Sequence, residues 1–210
     1  MNGEDLIVED YYMELTEEPI SVYNFHVEDF HTYFVGDCVV WVHNAECTIE
    51  FNNKAGLDEK EFKQQLSDQQ DGFGDLTIDE YKKNRAAYES RKATTGNGRD
   101  PNSAKYQAQA RKEAIKTKTK EFRNQGYSKS EAEAMAKKWA KGKAALHGPD
   151  QIVGGRADNI SGLGDSTINS SIGSQWKSRV GTLDNYINEK AVTLPGSTKL
   201  SELDVEFVLK

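Results

Sequence analysis

A histidine and an aspartate stand three residues apart in Leu146-His147-Gly148-Pro149-Asp150-Gln151-Ile152-Val153-Gly154-Gly155, and His147 is the single histidine after residue 43. An imidazole can take a proton near neutral pH, and a carboxylate can orient that ring or hold a cation. The pair suits hydrolysis of a phosphodiester, which needs an activated water, charge neutralised on the phosphate and help for the leaving oxygen. In this reading His147 is a general base or a metal ligand. Asp150 is a metal ligand, with Mg²⁺ the natural ion, or the group that orients the ring. The plainer alternative is a structural histidine, because H-x-x-D is a short pattern.

The charge distribution points toward a polyanion. Net charge is −7 over 210 residues, yet residues 1–44 hold ten Asp/Glu and no Lys or Arg, leaving +3 for the remainder. Residues 82–143 alone carry 18 Lys/Arg against 6 Asp/Glu. Such a block beside a candidate site suggests a polyanion, nucleic acid first, and a pair of solvated Lys-rich helices accounts for the charge equally well. No apolar run approaches the roughly 20 residues that cross a bilayer. The first residues lack the basic and apolar regions of a signal peptide. Cys38 and Cys47, even with His31 and His43 nearby, match no common zinc spacing and read as incidental thiols.

The elements that must position the site are mostly helical. Asp58-x-x-Glu61, Thr77-x-x-Glu80 and Ser128-x-x-Glu131 are capping-box patterns. Phe62 and Leu66 share a face of the first helix. Ile78, Tyr81, Arg85 and Tyr88 share a face of the second, so Arg85 is either a phosphate-binding arginine or half of a buried ion pair. Residues 93–103 read as a polar loop. A basic helix over 105–125 follows, with Ala108, Ile115, Thr119 and Phe122 on its inner side and Gly126 as its C-cap. Ala132, Met135, Ala136, Trp139 and Ala140 mark the inner face of the next helix. Continuing that spacing places His147 in the helix's last turn, where the dipole would favour its protonated form. Gly148-Pro149 ends it. A final helix carries Ile168, Ile172, Trp176, Val180, Leu183 and Ile187, and Val205–Leu209 reads as a closing strand.

Residues 145–176, containing "ALHGPDQIVGG" and "ISGLGDSTINSSIGSQW", resemble the type 15 polymorphic toxin nuclease domain of bacteria. The matches are His147 and Asp150, Gly164-Asp165, Asn169-Ser170-Ser171-Ile172-Gly173 and Gln175-Trp176, within a resemblance covering most of 75–190. It implies metal-dependent DNase activity, delivery into the cytoplasm of a competing cell, and a cognate immunity protein, expected to be acidic. Asp165 would be a second acidic metal ligand or an N-cap. Asn169 and Ser170 would contact phosphate oxygens or simply cap. Trp176 is expected in the core rather than against a base.

The segment from Val22 to Asn44, "VYNFHVEDFHTYFVGDCVVWVHN", resembles the end of a Hint pretoxin domain, where a His-Asn pair supports chain cleavage. His43-Asn44 matches that pair, while the nucleophilic cysteine of such domains is absent. Residues 1–44 are therefore expected to be the remnant of a larger exported polypeptide, with strands at 22–27 and 38–42, 45–57 a linker and 58–210 the toxin domain. The expected fold is α+β, mainly helical, with a small N-terminal β element and a closing strand. Two other functions stay open: a metal-independent ribonuclease toxin, and a non-enzymatic basic binding module.

Overall fold

The computed structural model describes residues 32–35, 40–43 and 46–210, and the chain divides into two units, Met1–Asn44 and Ala45–Lys210. In the first, β1 (Thr32–Val35) pairs antiparallel with β2 (Val40–His43), Val35 opposite Val40. The strand expected at 22–27, and Cys38, lie outside the described residues.

The second unit is α+β and mainly helical, as its patterning requires. It runs β3 (Cys47–Phe51), α1 (Glu59–Gly74), α2 (Ile78–Thr95), α3 (Ser103–Asn124), α4 (Lys129–Ala140), β4 (Lys143–His147), β5 (Ile160–Asp165), α5 (Ser166–Thr193) and β6 (Val205–Leu209). The segment read as a linker thus contains a core strand. Cys47, Ile49 and Phe51 alternate inward, and β3 pairs in parallel with the closing strand β6, Ile49 opposite Phe207. Asn52-Asn53 and Gly56 end that strand rather than mark a tether.

The β3–β6 ribbon packs on α1 and α5. The Trp176 ring meets Phe51 at 4.8 Å and Phe207 at 4.9 Å between centroids, both edge-on. Such pairs add about 0.5–1.5 kcal/mol each beyond area burial. Trp176 is fully buried and donates from Nε1 to Gln69 Oε1 at 2.8 Å, so it is core, as expected.

The helix starts follow local chemistry. Thr77 and Ser128 form complete capping boxes with Glu80 and Glu131. Asp58 also caps α1 by accepting from Glu61 N, but Glu61 turns its carboxylate elsewhere, accepting from Asp165 N at 3.1 Å.

Helices α3 and α4 form a hairpin that stands out from this core. Within α3 only Ser103 is buried. Ala108, expected on the inner side, is exposed, while Ala132, Ala136 and Ala140 of α4 are buried as expected. Gly126 follows the end of α3 with φ +96°, a conformation glycine adopts without strain.

Candidate active site

His147 is not on a helix. Helix α4 stops at Ala140, Gly142 turns the chain with φ +79°, and His147 is the last residue of β4. The Gly-containing segment 160–165 supplies the antiparallel partner β5. The register slips between Leu146 and His147, from Gly162 to Ile160, which makes a β-bulge at the histidine. Bulges re-aim a side chain and recur beside active sites. The ring therefore feels no helix C-terminus. Burial pushes its pKa below the ordinary value; the Asp150 carboxylate opposes that shift and the Arg99 guanidinium adds to it. The expectation of a dipole-favoured imidazolium is thus reversed, and the neutral ring is the form that can accept a proton.

The chain then turns through the cis peptide Gly148-Pro149. Asp150, itself buried, receives a 3.4 Å bond from Ile152 N at Oδ1 and leads into a 3-10 turn, Gln151–Val153. Helix α1 touches this turn so closely that a Cβ on Gly72 would stand 2.0 Å from the Gly148 carbonyl oxygen. Asn159 donates its side-chain amide to that same carbonyl. The site is held by backbone contacts on two sides.

His147 and Asp150 open onto one cleft of about 490 Å³. Its other wall is the start of α3, with Ala104, Gln107, Ala108 and Arg111 at helical spacing. Ala108 is exposed because it lines this cleft. Arg99, Lys143 and Asn169 complete it. Asn169 stands one turn into α5 with a side chain that makes no hydrogen bond among the described residues. His147 Nε2 lies between a donor and an acceptor, the Gln151 amide nitrogen at 3.4 Å and the Ala157 carbonyl at 3.3 Å.

The other expected residues stand elsewhere. Arg85 is half of an ion pair, with Nε and Nη2 on the two carboxylate oxygens of Asp184 at 2.9 and 2.6 Å and Nη1 on Glu89 at 3.1 Å. It lines a separate depression with Asp184. Asp165 is the N-cap of α5, accepting from Thr167 N and Ile168 N, and it borders a different cleft with Glu61 and Gln64. Ser170 is exposed and donates its hydroxyl to the Ser166 carbonyl at 2.8 Å. The sequence patterns single out none of Arg99, Arg111 and Gln151 as site residues. Residues 93–103 read as a polar loop with Gly96-Asn97-Gly98 as its turn signal, but nothing local ties Arg99 to the site.

Among the described residues no three His, Cys, Asp or Glu side chains are grouped to hold a metal ion. His147 and Asp150 are the two candidate ligands that share the cleft, a small donor set that suits an ion also bound by substrate phosphate and water. No helix among the described residues is long and apolar enough to cross a membrane.

Comparison with known families agrees with this layout. The family model described as novel toxin 15 matches residues 57–206, and that of the pretoxin HINT domain matches residues 1–45. No curated protein matches the chain. The toxin match spans the cleft and both walls, so the chain belongs to the novel toxin 15 family and carries a polymorphic toxin domain behind a pretoxin HINT segment.

Proposed function

We propose that the domain is a nuclease that hydrolyses phosphodiester bonds in the DNA of a target cell. The observation that carries this reading is one cleft holding a neutral-leaning histidine, a carboxylate and three cationic side chains, Arg99, Arg111 and Lys143. His147 takes the proton of a water as the water oxygen attacks phosphorus, and the P–O bond to the leaving oxygen breaks as that oxygen takes a proton from solvent water. Asp150 attracts the proton-bearing imidazolium so formed. The cations offset the charge that builds on the phosphate. Asp150 would hold a divalent ion such as Mg²⁺, which when bound lowers the pKa of water and neutralises phosphate charge.

The donor set favours one second reading. With only two candidate ligands in the cleft, a metal-independent ribonuclease would use His147 to deprotonate the ribose 2′-hydroxyl and the cations to stabilise the transition state.

The toxin context supports an acidic immunity protein as partner and export as part of a longer polypeptide. The test is purified protein on plasmid DNA and on total RNA, each with Mg²⁺ or EDTA, beside His147→Ala and Asp150→Ala. DNA loss that needs Mg²⁺ and vanishes in both variants is the expected result. RNA loss that persists in EDTA would move the assignment to the ribonuclease, and cleavage of neither would leave a binding module.

A further inference from the structure

The loop at 96–102 is fixed on both sides of Arg99. Gly98 lies against Tyr88 so tightly that a Cβ there would meet the ring at 2.4 Å, and its carbonyl accepts Arg91 Nε at 2.8 Å. Asn97 Oδ1 accepts Arg99 N at 3.1 Å. Asp100 N donates to Gln151 Oε1 at 2.7 Å, and Gln151 Nε2 donates to Ser103 Oγ at 2.6 Å. The backbone is therefore held, yet the Arg99 side chain is 47% exposed and has one ion-pair partner among the described residues, Asp150 Oδ2 at 3.6 Å.

We propose that Arg99 grips the scissile phosphate, its guanidinium leaving Asp150 for the phosphate oxygens when substrate enters the cleft. This rests on the phosphodiesterase reading above. The other two cations of the cleft are already engaged. Arg111 donates to the carbonyls of Ala140 and Lys143, and the Lys143 ammonium lies 5.5 Å from the centre of the Trp139 ring. Arg99 keeps its planar fork of donors, the geometry that matches a phosphate in two-point contact. The contact is longer than a hydrogen bond and open to solvent on the Arg99 side, so the guanidinium can turn from Asp150 to an incoming phosphate. The fixed loop means that the guanidinium is delivered without ordering the backbone first. Losing Arg99 also frees the Asp150 carboxylate, in the same event that brings substrate to it.

The experiment uses the full chain and a fluorescein-labelled DNA duplex. Single-turnover cleavage is compared for wild type, Arg99→Ala, Arg99→Lys and Arg99→Gln, with thermal melts to show that each folds. Duplex affinity is measured across salt for His147→Ala and for the same protein also carrying Arg99→Ala. The expected rate loss in Arg99→Ala and Arg99→Gln is about 100-fold, with Arg99→Lys between them and wild type. The salt slope of affinity should shrink by about one when Arg99 is removed. Wild-type cleavage with Arg99→Ala within about threefold of it, and an unchanged salt slope, overturns the proposal. A wild type that cleaves nothing while Arg99→Ala still reduces the slope sinks the nuclease reading and keeps Arg99 as the phosphate contact. No cleavage with an unchanged slope sinks both.

Discussion

From a position only 3% exposed, the Gln151 side-chain amide joins Ser103, the first residue of α3, to the turn that carries Asp150. Its oxygen takes the Asp100 amide and its nitrogen faces His147 Nε2, so one side chain links the loop, the helix and the imidazole. Gln151→Ala should strand the Asp100 N–H and the Ser103 hydroxyl, costing about 1–3 kcal/mol of stability. Cleavage should fall about tenfold further than stability explains, because a loosened loop misplaces groups by fractions of an ångström. Calorimetry and single-turnover cleavage on one preparation check this. A wild-type rate would mean that the loop is positioned without Gln151.

Arg85 separates stability from phosphate binding. Tyr81 also donates its hydroxyl to Asp184, at 2.8 Å, so Asp184→Asn weakens two partners and leaves a guanidinium 10% exposed with the half-exposed Glu89 as its remaining counter-charge. The expected cost is on the order of 2–3 kcal/mol, below that of a fully buried pair because Asp184 keeps some water. Arg85→Ala should lower the melting temperature in the same way, while the folded fraction cleaves DNA at the wild-type rate. A lost rate with an unchanged melt would return Arg85 to the phosphate.

What the sequence could show was set by the range of the interactions. The capping boxes at Thr77 and Ser128 span three residues, and both stand where their spacing puts them. Glu61 has the same spacing, but its carboxylate answers to Asp165, 104 residues away. The stripe that points His147 inward presumes a helix through residue 147, but α4 ends at Ala140, so neither its element nor the cause of its burial is legible there. Lys143–His147 is a strand because Ile160–Asp165 lies beside it, and no local pattern records that pairing. Arg99 was illegible for the same reason: a polar loop becomes part of a site only when Asp150 and Gln151 fold against it.

Gly72 has a role that only the packing reveals. Its missing side chain lets α1 rest on the Gly148 carbonyl, directly between His147 and Pro149. Gly72→Ala must push that backbone away, and overpacking of this kind costs at least about 2 kcal/mol. Because the obstacle is backbone rather than a mobile side chain, activity should fall with stability. Gly181→Ala, in the same protein but with open space around the added methyl, is the control and should melt no lower than wild type.

Removal of divalent ions distinguishes the two chemistries available to the cleft. If Asp150 holds the ion, EDTA should abolish DNA cleavage, excess Mg²⁺ should restore it, and Asp150→Asn should require markedly more Mg²⁺ for the same rate. Metal titrations of cleavage rate read all three. An Asp150→Asn variant with the wild-type Mg²⁺ requirement would assign the carboxylate to the histidine alone.

The exposed side of α3 should govern capture rather than chemistry. Lys105, Lys112, Lys116, Lys120 and Arg123 fall within one face of that helix, and all five are exposed. The cleft instead borders the face of Ala104, Gln107, Ala108 and Arg111, so the basic stripe runs beside the site and not into it. On a DNA substrate, lysines there would meet phosphates as point charges, each releasing counterions on binding. Lys112→Glu combined with Lys116→Glu should weaken DNA binding in low salt and reduce the salt slope by about two. At saturating DNA the single-turnover rate should remain that of wild type, because His147, Asp150 and Arg99 are untouched. Equal loss of rate and affinity would place the scissile phosphate nearer to this face than the cleft implies.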